Sequence, residues 1–298
     1  RELLENVLGA AYQKSCRRAY PQGDLAGHVV GYVGEVNADE QRRRNLSPDD
    51  ASWLQRRLHN YLDGDLLGKC GVEKMCETLL RGRRGYRRLK RTGGEPELLE
   101  EAPAEHGRAV RLTLDLDLQQ RCRALLREAG GPGAFVMVSV PTGEVLALAS
   151  VPGYDPGRFR RDGDYARAVL TDQRDLPLLS RAFGRRLPTG STIKPIVALG
   201  ALACRAISPS STFLCRGYLH TPGSFRCHSR HGHIALHEAI QRSCNVYFYN
   251  VGERMGPRRL AEWLRRWGFA EPPGASLPGE APGIVPTAAW LARHRRRH

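Results

Sequence analysis

Ser191 and Lys194 stand three residues apart in Pro188-Thr189-Gly190-Ser191-Thr192-Ile193-Lys194-Pro195, just ahead of the apolar run Ile196 to Leu202. A serine hydroxyl is a poor nucleophile until a neighbouring base takes its proton, and a lysine desolvated at the edge of a core is neutral enough to take it. The Thr189-Gly190 pair predicts a turn and Ser191 the first residue or cap of a helix, with Pro195 tolerated in that helix's first turn. Three residues are close to one helical turn, so Lys194 shares a face with Ser191 and its amine can reach the hydroxyl. The helix N-terminus pushes the lysine pKa down further. The choice of lysine is itself informative. Of the 46 Lys and Arg residues only five are Lys (Lys14, Lys69, Lys74, Lys90 and Lys194), and an arginine could not serve as a base because it does not deprotonate. A bare Ser-x-x-Lys also fits an ordinary helix start with an exposed lysine.

A second polar group lies about fifty residues on. Leu236 to Arg242 reads as a short helix, Ser243-Cys244-Asn245 as a polar interruption and Val246 to Met255 as a further helix. Across such a bend Ser243 and Asn245 point the same way and can exchange hydrogen bonds with a lysine and a substrate amide. A serine at a helix junction also serves as a plain cap.

The eight cysteines show no Cys-x-x-Cys and no legible disulfide framework. Cys215, His220, Cys227, His228, His231, His233 and His237 nevertheless fall within 23 positions. Cys215, Cys227 and His228 are the zinc candidates in this run, weighed against a Cys215–Cys227 disulfide or plain loop packing, because the spacing fits no standard finger.

At 298 residues, 41% hydrophobic and 26% charged, the chain can bury a real core and suggests about two domains. No apolar run approaches a membrane span. Net charge is +15, with basic clusters at Arg81 to Arg91 and Arg293 to His298. Neither cluster interleaves aromatics or has finger spacing, so nucleic acid is not an expected partner. The chain starts at Arg1 without Met or a signal-like segment and ends in an Arg/His tail, which reads as truncation at both ends.

The elements that must position these groups follow from pattern. Ser47-Pro48-Asp49-Asp50 predicts a helix start, continuing through Trp53, Leu54, Leu58 and Leu62. Gly82 to Pro103 breaks the pattern, placing a domain boundary near residue 107. Val110 to Leu114 alternates as a strand, and Asp117 opens a helix with Leu118, Cys122, Leu125, Leu126 and Ala129 on one face. Ala134 to Val140 and Glu144 to Ser150 read as a hairpin around Pro141-Thr142-Gly143. Gly256-Pro257 starts a last helix through Leu260, Trp263, Leu264 and Trp267. Strands precede helices, which favours an antiparallel α+β fold.

Ser191-x-x-Lys194 followed by Ser243-x-Asn245 resembles the motif set of penicillin-binding proteins and serine β-lactamases. Arg17 to Glu35 (RRAYPQGDLAGHVVGYVGE), Gly68 to Tyr86, Leu112 to Gln120 (LTLDLDLQQ), Val140 to Ser150 and Ser243 to Tyr249 (SCNVYFY) resemble class B penicillin-binding proteins of the elongation-type penicillin-binding protein 2 group. That resemblance implies a loop-rich pedestal, here 1–107, and a transpeptidase domain with a five-stranded antiparallel sheet flanked by helices, here 108–298 and incomplete at its C-terminus. It implies a peptidoglycan D,D-transpeptidase acting in elongation and cell shape, needing no cofactor, with Ser191 as acylated nucleophile and Lys194 as general base. Ser243 would relay the proton to the leaving D-alanine and Asn245 would hold the stem-peptide amide. The implied partners are stem peptides ending in D-Ala-D-Ala, β-lactams, an elongation glycosyltransferase and scaffold proteins. The implied place is the bacterial inner membrane, through an N-terminal anchor absent from this chain, with the catalytic domain in the periplasm or outside. One motif is missing. No lysine follows Lys194, so there is no Lys-Thr-Gly after the nucleophile, and Arg91-Thr92-Gly93 precedes it. A non-catalytic penicillin-binding scaffold and a serine β-lactamase are the alternatives.

Overall fold

The computed structural model describes residues 17–47, 49, 51–90 and 97–294. They divide into two units, Arg1–Gly184 with Ser276–Gly279, and Arg185–Ala275 with Glu280–His298.

Unit 1 begins with short elements held by polar caps. Helix α1 (Gly27–Val30) is followed by β1 (Val33–Glu35), and α2 (Ala38–Arg44) is closed by a reciprocal capping box between Asn37 and Glu40. Helix α3 (Trp53–His59) is capped by Ser52 and Gln55 in the same way. The expected start at Ser47 is thus displaced to Ser52, and the helix stops at His59 rather than reaching Leu62. Pro48 and Asp50 lie outside the described residues. Strand β2 (Leu66–Gly68) pairs antiparallel with β1, and α4 (Gly71–Met75) and α5 (Glu77–Leu80) follow. Buried Glu77 ties this region together: its carboxylate accepts the Tyr61 hydroxyl and the Gly68 N–H, each at 2.8 Å. A buried carboxylate is tolerable only with such donors. Strands β3 (Tyr86–Lys90) and β4 (Glu97–Ala102) form an antiparallel ribbon with facing Arg87–Glu101 and Arg88–Glu100 pairs. Arg91-Thr92-Gly93 lies outside the described residues.

The expected strand at Val110–Leu114 does not form. Its side chains alternate in burial as a strand's do, with Val110, Leu112 and Leu114 turned inward. The backbone has only isolated bonds to the neighbouring chain, such as Asp115 N–H to Leu146 O at 2.9 Å, so no ladder develops. Helix α6 (Leu116–Glu128) is capped by Asp115, two residues before the expected Asp117. Its buried face carries Gln119, Cys122 and Arg123 while Leu125 and Ala129 are exposed, a rotation from the apolar stripe. The reason is polar: the Gln119 amide donates to Leu148 O at 2.9 Å and accepts Leu148 N–H at 2.8 Å, pinning the helix to a strand. That strand is β6 (Val145–Val151), antiparallel to β5 (Gly133–Val138) in the expected hairpin. Gly143 turns it at φ 74°. Among the described residues no third strand joins this pair, so the implied five-stranded sheet is represented by two. Helices α7 (Pro156–Arg161) and α8 (Gly163–Thr171) are capped by Asp155 and Asp162.

Unit 2 holds all four proposed catalytic residues. A single 3-10 turn (Gly190–Ile193) leads into α9 (Lys194–Ala203), and β7 (Thr212–Cys215) pairs antiparallel with β8 (Gly232–Ala235). Helix α10 (Leu236–Gln241) precedes the long α11 (Asn245–Arg266), which breaks at Gly256, φ 76°, ahead of Pro257, and α12 (Ala288–His294) follows. Val197, Ala198 and Ala201 of α9 pack with Phe213, Ile234, Tyr247, Val251 and Met255 in one buried core. The α9–α11 approach is close because position 200 is glycine: a Cβ there would stand 2.6 Å from Trp263 Cδ1. The Trp263 indole N–H meets the Ile196 carbonyl at 2.8 Å.

Candidate active site

Ser191 is not a helix cap. It is the second residue of the 3-10 turn, and the α-helix starts three residues later at Lys194. Lys194 follows the turn as the first residue of α9, and the expected hydrogen bond from its amine to the Ser191 hydroxyl is not made. Ser191 is exposed and its hydroxyl makes no hydrogen bond among the described residues, whereas Lys194 is buried.

The Lys194 amine makes three bonds, all into the second motif. Nζ donates to Ser243 O at 2.7 Å, to Ser243 Oγ at 3.0 Å and to Asn245 Oδ1 at 2.7 Å. Three acceptors use all three N–H groups of an ammonium. Burial pushes the Lys194 pKa below its ordinary value, against an upward pull from the Cys227 and Cys244 sulfurs. The Phe248 ring lies 5.7 Å from Nζ and adds an apolar wall on that side.

Local backbone explains how Ser243 and Asn245 converge. Ser243 ends α10 in a left-handed conformation, φ 51°, with its N–H on Ile240 O and the Cys244 N–H on Ala239 O. A left-handed residue is how a helix commonly closes. It turns both the carbonyl and the hydroxyl of Ser243 to the lysine. Cys244 then caps α11, its sulfur accepting the Tyr247 N–H at 3.4 Å. The Asn245 side chain is fixed at its other end, Nδ2 donating to Arg226 O at 3.1 Å.

Behind Asn245 the sulfurs gather. Cys227 Sγ accepts the Asn245 N–H at 3.2 Å, and Cys215 Sγ lies 3.5 Å from His231 Nδ1. The ligand atoms of Cys215, Cys227, His231 and Cys244 all lie within 4.8 Å of one another. Three thiols and an imidazole match a structural zinc site in number and type. Of the sequence candidates, Cys215 and Cys227 belong to this group and His228 does not. His228 follows Cys227 directly in the chain and its ring packs edge-on against His231, which takes the ligand position. Sequence reasoning placed His231 in the dense run but chose His228 instead, and it missed Cys244, which sits inside the second motif. The weighed Cys215–Cys227 disulfide is absent, both being free thiols. Burial pushes the Cys244 thiol up to about 12. Burial also raises Cys227, but the N–H groups of Ser229, Val246 and Asn245 outweigh it and hold that thiol below its ordinary value.

Comparison with known proteins places both halves of the chain. The penicillin-binding protein transpeptidase domain matches residues 133–295 and the penicillin-binding protein dimerisation domain matches 1–112. The peptidoglycan D,D-transpeptidase MrdA of Acinetobacter baumannii is 35% identical over 296 residues, covering 97% of this chain and 42% of that protein. MrdA of Escherichia coli K12 is 36% identical over 292 residues, covering 94% and 44%. A crystal structure of Pseudomonas aeruginosa PBP2 in complex with WCK 5153 is similar at TM-score 0.72 and 31% identity, covering 99% of this chain and 60% of that one. The complex between PBP2 and MreC from Helicobacter pylori is similar at TM-score 0.82 and 28% identity, covering 99% and 54%. The chain spans under half the length of the two curated relatives.

Proposed function

Because the chain belongs to the penicillin-binding protein transpeptidase family, with a dimerisation domain preceding the transpeptidase domain, we propose that it carries the nucleophile and base of a peptidoglycan D,D-transpeptidase of the elongation type. The observation that carries this reading is the Lys194 amine, which joins two motifs 49 and 51 residues apart through Ser243 and Asn245. The domain division proposed is 1–107 for the pedestal and 108–298 for the transpeptidase part.

In the proposed reaction Ser191 Oγ attacks the carbonyl of the penultimate D-alanine of a donor stem peptide, and Lys194 takes the hydroxyl proton. Burial supports this by favouring the neutral amine. Loss of one proton leaves Nζ two N–H groups and a lone pair, which requires release of one of its three acceptors. Ser243 Oγ, the longest of the three at 3.0 Å, gives way while the lone pair takes the Ser191 proton; the recharged amine then donates to Ser243 Oγ again, and Ser243 passes its own proton to the departing D-alanine amine. Asn245 keeps one amide N–H and one carbonyl lone pair unused, enough to hold a stem-peptide amide. The Ser191 N–H supplies one oxyanion donor. An amine of a neighbouring stem peptide then attacks the acyl-enzyme, forming the cross-link and freeing Ser191. A β-lactam enters the first half of this sequence and leaves the serine blocked. Zinc held by Cys215, Cys227, His231 and Cys244 would have no part in these bonds; its place would be to fix the N-terminus of α11.

The partner and membrane assignments belong to the same proposal. A scaffold partner is supported by the Helicobacter pylori PBP2 solved with MreC, and a glycosyltransferase partner by a peptidoglycan synthase complex coordinating polymerization and crosslinking, similar at 31% identity and TM-score 0.74. Action outside the inner membrane follows from the peptidoglycan substrate; no helix among the described residues is long and apolar enough to cross a membrane.

The test is intact-protein mass spectrometry after incubation with a reporter penicillin. An adduct on this chain that is lost in Ser191→Ala supports the reading. An adduct on neither protein overturns it, and an adduct released within seconds points to a β-lactamase instead.

A further inference from the structure

Asn245, Tyr249 and Glu253 follow one another four residues apart along α11, so they share one face of the helix. Each of them holds a residue of the loop 218–226. Asn245 Nδ2 donates to Arg226 O at 3.1 Å, the Tyr249 ring meets the Phe225 ring edge-on at 5.5 Å, and Glu253 Oε1 lies 2.7 Å from His220 Nε2. The loop also closes on itself. Tyr218 bridges Arg226, Ser224 Oγ donates to Leu219 O at 2.8 Å, and the Cys227 N–H reaches Gly217 O at 2.9 Å. It is therefore a strap fixed along that face of α11.

Phe225 is the part of the strap that packing does not explain. Its ring is 60% exposed, although Tyr249 and His220 stand against it edge-on at 5.5 and 6.5 Å. Its backbone is left-handed, φ 43°, an uncommon conformation for a bulky residue. Apolar area left in water and a strained backbone are both unfavourable, and together they point to a contact made when a ligand is bound. The neighbours say where that ligand lies. Arg226, next in the chain, gives its carbonyl to Asn245, whose remaining amide N–H and carbonyl lone pair are open to a substrate amide. Tyr249, which Phe225 meets, stands about 6 Å beyond Asn245 along α11. A side chain carried beside that amide is thus within reach of the exposed ring.

We propose that Phe225 is a specificity-determining residue, its ring receiving the apolar side chain that adjoins the amide held by Asn245. The inference rests on the transpeptidase reading of the same site. In a stem peptide that side chain belongs to the residue just before the D-Ala-D-Ala pair. In a penicillin it is the substituent on the side-chain amide. An aromatic or long aliphatic group gains from the ring, whereas a methyl gains little. Phe225 reaches none of the atoms that exchange bonds at Ser191, so it acts on binding of the acyl donor and leaves the bond-making step unchanged.

The experiment takes the purified 298-residue chain and compares benzylpenicillin with the analogue in which methyl replaces benzyl. Acylation followed by intact-protein mass spectrometry over a range of concentrations separates binding from the limiting rate. In Phe225→Ala the benzyl compound is expected to bind about tenfold more weakly. Its limiting rate should be unchanged, and the methyl compound should shift by no more than about twofold. Phe225→Tyr keeps the ring and should keep the preference. An equal fall with both compounds, or a fall in the limiting rate, overturns the proposal, because Phe225 then only holds Arg226 and Asn245 in place. No change with either compound overturns it as well. If the unsubstituted chain is acylated by neither penicillin, the transpeptidase reading fails, and an NMR titration of that chain with N-phenylacetyl- and N-acetyl-D-Ala-D-Ala decides Phe225. The same titration serves if Phe225→Ala does not fold. Shifts of the Phe225 ring resonances with the phenylacetyl peptide alone sustain the inference, and equal shifts or none overturn it.

Discussion

The lysine proposed as the base is here surrounded by acceptors, and acceptors favour the ammonium. The geometry resolves this tension by burial, which pulls the Lys194 pKa down, while the three oxygens hold the amine in one place. The sign for catalysis is direct. Acylation needs the neutral amine, so its rate rises with pH through the lysine pKa and levels off at a pH below that of an ordinary lysine; a stopped-flow pH profile with a reporter penicillin measures this. Lys194→Arg keeps the charge and loses the base, so acylation should fall about 10²- to 10⁴-fold on the plateau of that profile, with the gap narrowing as pH falls and the wild-type amine protonates. Asn245→Ala removes the 2.7 Å acceptor and the anchor to Arg226 O together. It leaves Nζ under-bonded in a buried place, and the expected loss is about 10²-fold in acylation rate, with an unchanged circular dichroism spectrum showing that the fold persists.

At the level of elements, the site depends on where α9 and α11 meet. Gly200 lets the Trp263 ring, on the segment of α11 beyond the Gly256 break, lie against the α9 backbone. Gly200→Val should cost about 1–3 kcal/mol through overpacking against Trp263, read as a lower urea midpoint. The cluster of Cys215, Cys227, His231 and Cys244 acts at the other end of α11, joining β7, the 216–231 loop and the helix cap. Elemental analysis of the purified chain is expected to find about one zinc per molecule. Chelation should then lower the Tm, and Cys215→Ala should remove both the metal and the chelator effect.

For the whole molecule, the decisive feature is the motif that these 298 residues do not contain. No lysine follows Lys194, so nothing in the chain matches the Lys-Thr-Gly strand that the family resemblance assigns to carboxylate capture and the second oxyanion donor. The expected behaviour is single-turnover acylation by a penicillin without turnover of a D-Ala-D-Ala peptide, checked by D-alanine release. Turnover at a rate comparable to a longer chain carrying Lys-Thr-Gly would contradict this. Much of the site was legible in sequence because local spacing decides it: Ser191 and Lys194 share a turn in either a 3-10 or an α conformation, and Ser243 to Asn245 is a break between two apolar runs. The hairpin at 133–151 was legible for the same reason, since alternation and Pro-Thr-Gly turn chemistry are local. What pattern could not decide was set by distant partners. Val110–Leu114 alternates like a strand but finds no continuous ladder, and α6 turns polar Gln119 inward because the Leu148 peptide group on β6 needs it. The choice of His231 over His228, and the recruitment of Cys244, depend on how a loop folds across β7 and α11. Sequence by itself determined which groups could react, because reactivity belongs to residue type and near spacing. Tertiary structure alone decided what they react with, because Lys194 meets Ser243 and Asn245 only when α9 and α11 pack, and desolvation exists only once that core has closed.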